Sequence, residues 1–174
     1  MRRHRADSAA GVLLHREPLL DLLPDHAMSA VVSAIFLEQE ERDMLLQTVR
    51  PNIVQSIRAY RVDDLMQAAR HADQHFLYAN LTAAQSKQDV LEAIADSFTF
   101  PAHFGKNLDA LFDCMTDLVH KAGPQPGFVV VLEQLPDNPR FDREAREQLL
   151  DVFRDAADFW AERKVPFRCF YSFQ

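Results

Sequence analysis

Phe100-Pro101-Ala102-His103-Phe104-Gly105-Lys106-Asn107-Leu108-Asp109-Ala110-Leu111-Phe112-Asp113-Cys114 runs from a loop with one glycine into a helix with two opposed faces. Leu108, Leu111, Phe112, Met115, Leu118 and Val119 recur at helical spacing and require a core. Asn107 is a good N-cap, and Asp109 in the first turn suits the helix dipole. Asp109, Asp113 and Asp117 form a second line, four residues apart. Like charges at that spacing repel, at about 0.2–0.5 kcal/mol per pair. Such a line is either a solvated face or a surface awaiting a positively charged partner.

Outward from this helix, strands and helices alternate. Residues 75–81 read as a buried strand. Ser86 caps the next helix, with Asp89 placed for a capping box and Val90, Leu91 and Ile94 inward. After the acidic helix, Gly123-Pro-Gln-Pro-Gly127 is a turn cluster. Phe128-Val-Val-Val-Leu-Glu133 is a near-continuous apolar run, the mark of a strand covered on both faces. A long helix is predicted over residues 142–163, with Ala145, Leu149, Val152, Phe153, Ala156 and Trp160 inward. Its charges suggest surface pairs Asp142–Arg146, Arg143–Glu147 and Arg154–Asp158. A last strand follows Pro166. This alternation predicts an α/β domain over residues 74–174, with a three-stranded parallel sheet packed with helices.

The first part of the chain reads differently. Residues 1–27 mix charged and small residues with short leucine clusters, as in a poorly ordered tail. Residues 28–73 form an N-terminal extension that suits an extra strand–helix unit on the sheet edge, a dimer surface or a tail. Within it, residues 31–37 suit either a strand or a helix, residues 53–62 a strand, and residues 64–72 a helix capped by Asp63.

Composition excludes several classes. A chain of 174 residues with 48% hydrophobic and 26% charged residues has enough core to fold without metals or disulfides. A net charge of −7 opposes nonspecific binding to nucleic acid and docking on anionic membranes. It favours basic partners and speeds their association. Cys114 and Cys169 fit no metal motif and read as reduced thiols of a cytoplasmic protein. No apolar stretch reaches the ~20 residues of a membrane helix, and Gly11-Val12-Leu13-Leu14 is too short for a signal core. There is no phosphate-binding glycine loop, no nucleophile elbow and no Cys-x-x-Cys. His71 and His75 lack a third ligand, so neither a metal nor a cofactor is expected. Asp109 and Asp113 could form an acid–base pair, but two exposed ionised carboxylates make a poor acid, and an enzyme is not expected.

The segment from Phe104 to Thr116 resembles the barstar family of intracellular ribonuclease inhibitors. It shares nine of thirteen positions with that family's Tyr-Gly-x-Asn-Leu-Asp-Ala-Leu-Trp-Asp-Cys-Leu-Thr. Val130-Val131-Leu132-Glu133 is similar to the family's second strand, and Val152-Phe153-Arg154-Asp155-Ala156 to a Val-Phe-Arg-Glu-Ala stretch of its last helix. The resemblance implies an inhibitor whose acidic helix and preceding loop occlude the active site of a basic ribonuclease or toxin nuclease. By position it implies Asp113 as the central anion, Asp109 as a second anchor and Asp155 reaching in from the last helix. His103, Asn107, Phe112, Thr116 and Asp117 complete the implied partner-binding set. The family's best-known complex is itself the reference case for charged hot spots and steered association, so these energetics come from the resemblance.

Among the departures from the family pattern are His103 for a tyrosine, Lys106 for an acid, Phe112 for a tryptophan and Asp117 for a glycine, with Asp155 a shorter acid for a glutamate. They bear on which nuclease is bound. A protonated His103 would repel a basic partner, so binding is expected to weaken from about pH 7 to 5.5. The alternative reading is a regulatory interaction module of the same fold that binds a basic protein other than a nuclease.

Overall fold

The computed structural model describes residues 24–58 and 60–174. The expectation for residues 1–27 therefore lies almost wholly outside the described residues. The chain divides into two compact units, Met1–Glu38 and Gln39–Gln174. In the described part of the first, residues 31–37 adopt the helical alternative within α1 (Asp25–Asp43). Val32, Ile35, Phe36 and Leu37 are exposed on it.

The second unit is built on a four-stranded, wholly parallel sheet. Its strands are β1 (Ile53–Ser56), β2 (His75–Asn80), β3 (Phe128–Leu135) and β4 (Phe167–Phe173), in the order β1-β4-β3-β2. The three strands of residues 74–174 are those expected, and β1 adds a fourth at the edge beside β4. The helices are α2 (Leu45–Thr48), α3 (Val62–His71), α4 (Lys87–Ser97), α5 (Leu108–Thr116), α6 (Leu118–Ala122) and α7 (Arg143–Glu162).

The apolar run of β3 divides by parity, as strand geometry requires. Phe128, Val130 and Leu132 enter one core with Leu91 and Ile94 of α4, Leu111 and Met115 of α5, and Phe153 and Trp160 of α7. Val129 and Val131 enter a second core with Phe170, Leu46, Val49, Leu65, Ala68 and Ala69. Residues before position 74 thus supply the helices that pack on the second face of the sheet. Arg168, only 7% exposed, ties α2 to that face. Its guanidinium donates to the carbonyls of Leu46 (3.1 Å) and Val49 (3.0 and 3.1 Å). These are C-terminal carbonyls of a helix, which lack intrahelical donors.

Three local expectations are corrected. β1 stops at Ser56 instead of running to residue 62, because Tyr60 turns in to pack edge-on against Phe170 at 5.9 Å. Asp63 is not a cap: α3 begins at Val62, and Arg61 holds the cap position without a side-chain bond. On α7 the ion pairs are Arg146–Asp137, Arg154–Glu147 (3.1 Å) and Arg154–Asp151 (2.7 Å). Asp142 is occupied as N-cap, accepting from the Ala145 amide at 3.0 Å, which frees Arg146 for the turn.

Cys114 and Cys169 form no disulfide. No helix among the described residues is long and apolar enough to cross a membrane.

Candidate protein-binding site

The loop before α5 is pinned from below by aromatic rings. Phe98, Phe100 and Phe104 pack in series at 5.8 and 5.2 Å. Lys106 takes a left-handed backbone (φ 49°), an uncommon conformation for a residue with a Cβ. Asn107 then starts the helix. Its Oδ1 accepts from the Ala110 amide at 2.8 Å, and its Nδ2 donates to the Gly105 carbonyl at 3.2 Å.

α5 lies against α7, with Leu111 and Met115 fully buried. Trp160 Nε1 donates to the Met115 carbonyl at 3.0 Å, so α7 holds the end of α5 through a buried bond. Between the two helices runs a groove of about 390 Å³ lined by Leu108, Asp109, Phe112, Asp113, Val152 and Asp155. Its floor is apolar, and its three carboxylates are exposed. Among the described residues, none of these carboxylates has an ion pair or hydrogen bond. The neighbouring cations are engaged elsewhere. Lys106 reaches Glu92 at 3.2 Å, and this bond, with one from Gln88, holds the Glu92 carboxyl below the usual carboxylate range. Arg154 is shared by Glu147 and Asp151.

Not every expected residue joins this groove. Asp109, Phe112, Asp113 and Asp155 do. Asp117 does not. α5 ends at Thr116, and Asp117, as C-cap (φ −112°, ψ 23°), lines a different cavity on the far flank of the helix. The four-residue aspartate line is therefore broken at its last member. The Thr116 hydroxyl turns inward and donates to the carbonyls of Phe112 (2.9 Å) and Asp113 (3.2 Å). Asn107 is likewise occupied in capping, and His103 is exposed on the loop outside the groove. Leu108 and Val152 were expected only as core residues. They form the groove floor as well, and their signal was position at the margin of each apolar stripe.

The geometry can do one thing well. It can accept a cationic, partly aliphatic side chain, with the charge met by carboxylates from two helices and the stem laid on Leu108, Phe112 and Val152.

Residues 74–172 match the family model described as Barstar (barnase inhibitor). The chain belongs to the barstar family. The barstar match spans β2, α4, α5, α6, β3, α7 and nearly all of β4, so every residue lining the groove lies inside it. The edge strand β1, and α2 and α3, which pack on the second face of the sheet, precede the matched barstar residues.

Proposed function

We propose that this barstar-family protein is a cytoplasmic inhibitor of a basic ribonuclease or related toxin nuclease, and that it occludes the enzyme's active site with the groove between α5 and α7. The observation that carries the reading is the meeting of Asp109, Asp113 and Asp155 in one groove with no cation paired to them among the described residues. Ribonuclease active sites are built to hold phosphates with arginine, lysine and histidine. Rigidly held carboxylates can take the phosphates' place and pair bidentately with arginine. Asp113 is the central anion, Asp109 flanks it, and Asp155 reaches in from α7. Asn107 and Thr116 serve the site by fixing the two ends of α5. His103 stands on the approach. Lys106, a cation where the family has an acid, is held by Glu92 and so presents less repulsion than its sequence position suggests. The net charge of −7 steers a basic enzyme toward the protein.

The test is inhibition of a microbial guanyl-preferring ribonuclease, and of any nuclease encoded beside this protein, by the purified chain. The wild type inhibits at least one of them stoichiometrically, and Asp113→Ala loses that inhibition. Inhibition untouched by Asp113→Ala refutes the assigned role, and capture of a basic partner with no nuclease activity favours the regulatory module.

A further inference from the structure

We propose that the outer edge of β2 is a docking site for a lone extended peptide segment of another protein, which adds a fifth strand to the sheet. The site is independent of the carboxylate groove and of the nuclease reading. In the parallel β2–β3 pair the His75 amide donates to the Gly127 carbonyl at 2.9 Å, and the Leu81 amide donates to the Glu133 carbonyl at 2.8 Å. Odd-numbered residues of β2 therefore bond inward, and the amides and carbonyls of Phe76, Tyr78 and Asn80 point away from β3. Among the described residues none of these outward groups has a hydrogen-bond partner. Proteins blunt such edges with short strands, charges, prolines or bulges. β1, at the other end of the sheet, is only four residues long. β2 runs His75-Phe-Leu-Tyr-Ala-Asn80, with no proline, lysine or carboxylate, in unbroken register with β3. It carries none of the blunting devices.

The occupant follows from what flanks the edge. Among the strands, α4 packs chiefly on β2. A second copy pairing through its own β2 would bring its α4 to about 5 Å from this one, below the ~8–10 Å of packed helices. A single strand with no helix on it meets no such conflict. Its side chains alternate between the two faces of the sheet. On the face of His75 and Leu77, Phe98 and Phe100 wall a cavity of about 610 Å³, which suits leucine or phenylalanine. On the opposite face, Phe76 and Met66 of α3 line two cavities of about 460 and 390 Å³. One holds Arg70 with Asp73, the other Arg61 with Asp63, and such mixed charge suits neutral polar residues. The partner segment is therefore strand-forming, apolar at alternate positions and uncharged between them, with backbone pairing as its main hold.

The experiment titrates the blocked, uncharged peptide Ac-Gln-Thr-Leu-Thr-Phe-Thr-Gln-NH2 into the full chain labelled with ¹⁵N. The peptide shifts the Phe76, Tyr78 and Asn80 amides saturably and slows their hydrogen exchange. Leu77 and Ala79, already bonded to β3, change little. N-methylation of one alternate set of peptide residues weakens binding more than about tenfold, and of the other set less than about twofold, because only one set faces β2. Tyr78→Pro and Asn80→Pro each remove an outward amide while sparing the inward ladder, so the circular dichroism is kept and peptide binding is lost. If a proline variant fails to fold, the two methylated peptides decide. The proposal is overturned if these amides show no saturable shift, if the two methylated sets act equally, or if binding survives both proline substitutions. Self-association of the free chain that protects the same amides would make the occupant a second copy and overturns it too.

Discussion

Two acidic regions share α7, and they differ in what their charges do. Around Arg154, Glu147 and Asp151 share one guanidinium, and Arg146 is held by Asp137 of the preceding turn. One turn on, Asp155 faces Asp109 and Asp113 across the groove with no cation between them. The acids of the first cluster are each paired within the protein, which gives it a modest surface stabilisation. The second leaves three like charges held near one another by two packed helices. The contrast shows why counting acids does not find a binding site. What matters is whether the cations that would quench them are already committed, as Lys106 is to Glu92 and Arg154 is to Glu147 and Asp151.

The sharpest way to break this contrast is Asp113→Ala. Nuclease affinity should fall by about 2–5 kcal/mol, a range to which barstar-family measurements themselves contribute, because the partner's charge is left buried and unpaired. The urea midpoint should hardly move, and calorimetry of binding together with denaturation checks both. A variant that loses stability but keeps affinity would make the groove a structural feature. Next in size is Trp160→Phe. It deprives the buried Met115 carbonyl of its donor, at about 1–3 kcal/mol in unfolding experiments. Affinity should drop by less than with Asp113→Ala, through misplacement of α5 alone. Asp151→Ala should cost under about 1 kcal/mol of stability and leave affinity unchanged. A tenfold loss of affinity would extend the interface into the paired cluster. The smallest effect belongs to the approach. His103→Gln, on the exposed loop before α5, should change the association rate by less than any of these changes affects its own readout. Equal association rates of wild type and His103→Gln in stopped-flow mixing would remove His103 from the encounter.

Local signals in the sequence found most of the scaffold. Ser86 accepts from the Asp89 amide at 3.2 Å, as a capping box requires, although the Asp89 carboxylate returns to the Gln85 amide (3.0 Å), one residue before the cap. Asn107 caps α5, and the near-continuous apolar run of β3 announced a strand with two covered faces. What was not legible depended on contacts distant in sequence. Nothing near Asp63 reveals that Arg61 starts α3. Nothing near Val62 reveals that Phe170 draws Tyr60 out of the strand. At the site, periodicity placed Asp109 and Asp113 on one face but carried Asp117 along with them. The helix end that parts Asp117 from the line lies at Asp117 itself, whose amide bonds the Cys114 carbonyl three residues back. Asp155 came into view only through the family resemblance, since no local pattern says which face of α7 meets α5.

The position of β1 beside β4 has a consequence for how the chain is made. The first strand of the sheet pairs with the last, and Arg168 binds the Val49 carbonyl across a separation of 119 residues. During synthesis α3 can pack on β2 and β3 as they emerge, but β1 has no strand to pair with, and α2 no Arg168 to bind, until β4 leaves the ribosome. Until then the core around Val129 and Val131 lacks Phe170 and stays only partly closed. Long-range closures of this kind are slow, and a partly covered sheet face is open to aggregation while it waits. The carboxylate groove is assembled from later and more local pieces, so the binding surface can be complete before the back of the sheet is closed.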